Sequence, residues 1–117
     1  MEKEICYIPI PTNIWYYELK YYLTHGITPN YLDAKRKRAL RLNATKYQLI
    51  KNILFRNNYD GILFRCLEEE DSQMVLSEQH DGPSSGHFGG DTTVHKILRA
   101  RYYWPTLFKD AHAYAHK

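Results

Sequence analysis

Apolar positions recur at helical spacing in Trp15, Leu19, Tyr22 and Leu23, with Thr12 or Asn13 as a cap and Gly26 and Pro29 beyond. That pattern predicts a first helix closed by a glycine stop. A second helix is expected over about residues 32–42, where Ala34, Ala39, Leu40 and Leu42 alternate with basic residues. From Tyr47 the period shortens. Ile53-Leu54-Phe55 and Ile62-Leu63-Phe64 flank Asn57-Asn58-Tyr59-Asp60-Gly61, a hairpin signal because Asp-Gly accepts positive φ. Tyr47–Ile50 adds a possible third strand. Glu68-Glu69-Glu70-Asp71 then opens a helix whose apolar side is Met74, Val75 and Leu76, since carboxylates suit the positive end of the helix dipole.

Two further helices close the chain. The first is capped by Asp91 or Thr92 and carries Val94, Ile97, Leu98 and Tyr102 on one stripe. The second starts at Pro105, where a missing N–H costs nothing, and buries Leu107, Phe108, Ala111 and Ala115. Trp104 is the expected hub between them. Residues 1–12, broken by Pro9 and Pro11, read as an extended lead-in. The fold class is therefore α+β, mainly α. A helical and β-hairpin extension spans 13–67, and a small helical module spans 68–117.

Composition narrows the function classes. The 117 residues are 44% hydrophobic and 15% aromatic, ample for a packed core, with eleven tyrosines able to keep their hydroxyls at its wet edge. Net charge is +3 and the pI about 8.8, which permits an acidic polymer as partner without establishing one. The two cysteines, Cys6 and Cys66, form no motif. A disulfide framework is not expected, and Cys66 reads as a small buried hydrophobe. No apolar run would span a bilayer and the charged amino terminus is no secretory signal, so a soluble, intracellular protein is expected, in the cytoplasm or nucleus.

Two groups of residues carry candidate chemistry. Lys35, Arg36, Lys37, Arg38 and Arg41 form either a phosphate-facing surface or a solvated helix face. Four consecutive basic residues on a helix cannot all point one way, so at most two or three would touch one backbone. The second group is His80-Asp81-Gly82-Pro83-Ser84-Ser85-Gly86-His87. Leu76 and His80 lie four apart, placing His80 in the last helical turn. The Gly/Pro-rich loop must then turn, and such a turn can fold His87 back so that both imidazoles meet one ion. His95 reads as a surface residue. His112 and His116 have a chelating spacing but read as exposed. There is no H-E-x-x-H, and neither cysteine has a histidine nearby in sequence, so hydrolytic and nucleophilic catalysis are not supported.

The carboxy-terminal residues His80-Asp81-Gly82-Pro83, Gly86-His87-Phe88-Gly89-Gly90-Asp91, Thr93, Ile97-Leu98-Arg99, Tyr102-Tyr103-Trp104-Pro105, Asp110 and Tyr114 resemble the integrase zinc-binding domain of gypsy-class LTR retrotransposon polyproteins, particularly plant ones. The region from Trp15 through Arg65-Cys66-Leu67 resembles the segment preceding that module. The resemblance implies that the module over 68–117 is zinc-finger-like, with a structural zinc held by two histidines, here His80 and His87, and by a C-x-x-C that the family places just past the position of Lys117. It also implies a non-catalytic module that helps an integrase multimerise and grip DNA ends. Strand transfer belongs to a separate core domain. With the two histidines alone, zinc binding is expected to be weak, because thiolates supply both charge and soft donors. The other reading is a degenerate or domesticated fragment serving as a metal-free interaction domain. No membrane contact and no small-molecule substrate are expected.

Overall fold

A computed structural model describes residues 14–81, the last two by backbone alone, and 89–115. The described chain runs α1 (Ile14–His25), α2 (Ala34–Ala44), β1 (Tyr47–Ile50), β2 (Ile53–Asn57), β3 (Leu63–Cys66), α3 (Glu69–Asp81), α4 (Gly90–Arg99), β4 (Tyr102–Tyr103) and α5 (Leu107–Ala115). The fold is α+β and mainly helical. Among the described residues no helix is long and apolar enough to cross a membrane.

Local chemistry accounts for the element ends. Gly26 closes α1 at φ 77°, and its N–H donates to the Tyr22 carbonyl at 2.8 Å. α2 begins two residues later than its pattern suggests. Asp33 supplies the cap: its Oδ1 accepts from the Arg36 N–H at 2.8 Å, satisfying one of the orphan donors of the first turn. Lys51 and Asn52, both at positive φ, make the tight turn between β1 and β2 that matches strand twist. Asp60 accepts from the Ile62 N–H at 3.0 Å and Gly61 takes φ 87°, which turns the chain into β3.

The sheet holds more than the expected hairpin. β1, β2 and β3 form an antiparallel meander, with Leu49 opposite Leu54 and Arg56 opposite Phe64. The two-residue β4 then pairs with β3 in parallel, Arg65 opposite Tyr102 and Cys66 opposite Tyr103. The Arg65 N–H donates to the Arg101 carbonyl at 2.8 Å, and the Leu67 N–H to the Tyr103 carbonyl at 3.0 Å. A parallel partner requires a crossover; here α3 and α4 lie within it.

Successive residues along a strand face opposite sides, and this alternation sorts two cores. Cys66 and Tyr103 join one with Leu19, Leu32, Leu40, Ala44, Tyr47 and Leu54. Leu67 and Tyr102 join the other with Val75, Leu76, Val94, Ile97, Trp104, Leu107 and Ala111. Trp15 packs against both. Arg56 adds a tie across the sheet, its guanidinium 4.5 Å from the Tyr103 ring centroid and 5.9 Å from that of Tyr47, within reach of cation–π attraction.

Several apolar assignments are corrected. Met74 is 59% and Phe108 60% exposed, because Val75 and Leu76 on α3, and Leu107 and Ala111 on α5, already fill the space facing the core. On α2, Leu40 and Ala44 are buried while Ala34, Ala39 and Leu42 face outward. α5 starts at Leu107 rather than Pro105. Its leading turn closes by the Leu107 N–H donating to the Trp104 carbonyl at 3.0 Å.

Candidate functional site

The histidine loop is approached from both sides by well-packed elements. α3 carries the chain to His80 in its final turn, with Val75 and Leu76 buried beneath it. His87, like the rest of 82–88 and like His116, lies outside the described residues, as does the His80 side chain. The chain emerges at Gly89, the N-cap of α4, which makes no side-chain cap bond. Asp91 and Thr92 are therefore not caps. Thr93 instead turns its hydroxyl back to the Gly89 carbonyl at 3.2 Å.

Asp91 has another partner. Its Oδ1 lies 2.9 Å from His112 Nε2 on α5, so His112 is half-exposed but held rather than free in solvent. The imidazole lies so close to Gly90 that a Cβ there would come within 2.4 Å of Nδ1. The lack of a side chain at Gly90 is what lets the two helices meet. The last turn of α5 is thereby brought to the first turn of α4, three positions after His87. His95, on the same helix, is exposed as expected.

Below this junction, Trp104 is 3% exposed. Its indole N–H donates to Asp110 Oδ2 at 2.8 Å, and the Thr106 hydroxyl donates to the same oxygen at 2.7 Å. A buried tryptophan needs a partner for its N–H; an acidic residue in the first turn of α5 supplies one and also suits the helix dipole. The hub between the last two helices is thus a polar anchor as well as a hydrophobic one. In the sequence Trp104 is visible as the hub, while nothing there marks Asp110 as its hydrogen-bond partner.

The basic residues are divided by helix geometry. Arg36, Leu40 and Ala44 follow one another at intervals of four and share the face turned to α1, and Arg36 reaches Glu18 at 3.7 Å. Tyr31 donates its hydroxyl to the same carboxylate at 2.8 Å. Lys35, Arg38 and Arg41 are exposed and Lys37 partly so. Cys66 is buried, and burial pushes its thiol up to about 12, so it is neither a nucleophile nor a ready ligand. Burial also raises the phenols of Tyr16 and Tyr47. Among the described residues no group of three or more His, Cys, Asp or Glu side chains could hold a metal ion.

Residues 67–117 match the family model of the integrase zinc binding domain. That segment is similar to the integrase zinc-binding family. The match begins at Leu67, where the chain leaves β3, and includes His80, His87 and the whole α3–α5 core. No curated protein and no solved structure matches the chain. The segment is thus an integrase-related module, and its family is defined by zinc binding rather than by a catalytic core.

Proposed function

We propose that this chain is a non-catalytic part of a gypsy-class LTR retrotransposon integrase, in which the extension contacts nucleic acid and the zinc-binding module supports multimerisation. The observation that carries the nucleic-acid assignment is a partition of charge. Residues 14–65 hold ten Lys and Arg against three carboxylates, whereas 67–117 hold five against eight. All three carboxylates of the extension are engaged: Glu18 with Tyr31 and Arg36, Asp33 as the α2 cap, and Asp60 in its turn. The positive field is concentrated on α2 and the strands behind it, and the acidic module would repel phosphate.

The test is fluorescence anisotropy of the full chain with labelled duplex DNA at several salt concentrations between 50 and 200 mM. Each phosphate contact contributes about −0.9 to the slope of log K against log salt. A Lys35→Ala, Arg38→Ala, Arg41→Ala variant is expected to flatten that slope by up to about 2–3. No binding at the lowest salt, or a variant indistinguishable from the parent, overturns the assignment.

For zinc, His80 and His87 would supply two nitrogen donors of the family's four. The way α5 returns to the start of α4 fits a site at that end of the module, since sulfur donors following α5 would arrive beside the histidine loop. When bound, the ion would cross-link the two ends of the module. Two imidazoles retain a minor share of the about 10–16 kcal/mol that a complete structural site provides, so zinc affinity of this chain is expected to be weak. Competition with a chromophoric chelator measures it, and a tight complex lost in His87→Ala would show a more complete donor set. Strand-transfer assays with magnesium or manganese should show no turnover.

The metal-free interaction domain is the second reading. The observation favouring it is that Trp104, Asp110 and Thr106 tie α5 to the module's core by hydrogen bonds of their own. Genomic codons downstream of Lys117 separate the two: a C-x-x-C followed by an acidic core supports the integrase, and stop codons support the fragment.

A further inference from the structure

The outer face of α1 is covered by aromatic rings that neither core uses. Tyr17, Tyr21 and His25 follow one another at intervals of four. The Tyr17 and Tyr21 centroids are 6.0 Å apart, and those of Tyr21 and His25 4.5 Å apart. Tyr17 is 44% exposed. The rings line a shallow groove of about 360 Å³ together with Lys20, Thr24 and Asn52. Asn52 belongs to the β1–β2 turn, so a second element walls the groove.

Its electrostatics select the occupant. The groove's lining includes an amine and no carboxylate, and exposed Lys51 precedes Asn52 in the turn. At the amino-terminal end of the stripe Tyr31 and Arg36 both reach Glu18, the residue after Tyr17, so the basic helix packs beside that end of α1. Successive rings, here tilted 39° and 54° to one another and bordered by cations, are a combination that can hold unpaired bases. The rings stack on the bases while the amines follow the phosphates. A duplex has no free base faces to offer such a row. An apolar protein segment would gain from the rings but leave the cations without partners.

We propose that the Tyr17–Tyr21–His25 stripe of α1 is a stacking surface for unpaired bases of a single-stranded nucleic acid. This rests on the extension being the nucleic-acid-binding part of the chain, and it adds that the bound form includes a single-stranded portion. Phosphate contact by α2 positions the strand; the α1 stripe distinguishes strand from duplex.

The test uses the full 117-residue chain with a fluorescein-labelled oligo(dT) of about twelve nucleotides, within the usual site sizes, and a duplex of equal length. Tyr17→Ala and Tyr21→Ala are each expected to weaken single-strand binding about fivefold or more, with duplex binding unchanged. Tyr17→Phe and Tyr21→Phe, which keep the ring, should bind like the parent. Tyr17→Leu keeps apolar bulk without a flat face, and so decides the matter if circular dichroism shows the alanine variants unfolded. Equal losses on strand and duplex, no loss at all, or a leucine variant that binds normally overturns the proposal. So does a change in the sedimentation of the protein alone, which would make the stripe a protein contact. A parent that binds neither probe overturns the underlying nucleic-acid reading instead; one that binds both, with no ring dependence, overturns this inference only.

Discussion

The Trp104–Asp110 hydrogen bond can be isolated by a double-mutant cycle of Trp104→Phe and Asp110→Ala. The indole N–H meets a carboxylate at 2.8 Å with the ring buried at 3% exposure. A hydrogen bond to a charged group contributes about 1.5–3 kcal/mol. The Thr106 hydroxyl shares the same oxygen at 2.7 Å, so Asp110 keeps one donor when the indole is removed. That places the coupling nearer the lower end, at about 1.5 kcal/mol. Trp104→Phe adds a loss of ring volume, and Asp110→Ala adds loss of a favourable charge in the first turn of α5, worth about 0.3–1 kcal/mol. Both contributions cancel in the cycle if they are independent. Urea unfolding followed by far-ultraviolet circular dichroism supplies the four stabilities. For a chain of this length, whose whole stability is of the order of 5–15 kcal/mol, the effect is well within measurement. A coupling below about 0.5 kcal/mol would refute the claim that this bond anchors α5.

Three other outcomes follow from the geometry. Gly90→Ala should destabilise by about 1 kcal/mol rather than gain the usual helix propensity, because its Cβ meets the His112 ring. Adding His112→Ala should recover most of the loss in thermal melts. Arg101 sits at φ 70° just past the α4 C-cap, a position that favours glycine, so Arg101→Gly should stabilise by about 0.5–1 kcal/mol in urea titration. Cys66, whose thiol is held up near 12 by burial, should resist a disulfide reagent in a Cys6→Ser background until urea unfolds the chain. Its linkage runs one way. The unfolded thiol ionises first, so stability is full below about pH 9 and falls as pH rises toward 12.

The elements that local chemistry specifies were the legible ones. α1, with its apolar stripe and glycine stop, the Asp60-Gly61 turn, and the acidic start of α3 could all be read from a few neighbouring residues. β4 could not. A two-residue strand has no period, and Tyr102-Tyr103 becomes a strand because β3 lies alongside it. Met74 and Phe108 read as inward in sequence because hydrophobicity alone cannot choose which members of a crowded apolar run face the core. Of the candidate sites, the basic residues were visible in sequence, but Arg36's engagement depends on Glu18 from another helix. The position of His80 in the last turn of α3 was readable from its spacing to Leu76. In sequence Asp91 reads as a cap, because its long-range partner, His112, is 21 positions away.

The parallel pairing of β3 with β4 also bears on how the chain is made. Its partners lie 37 positions apart, so the meander leaves the ribosome well before the strand that completes it. At elongation rates of about 5–20 residues per second, the edge of β3 at Arg65 and Cys66 waits about 2–7 s unpaired and open to any passing strand. Nascent chains crowded on one message would thus meet through that edge before each could close its own sheet, and slowing translation across the α3–α4 codons should lengthen the hazard.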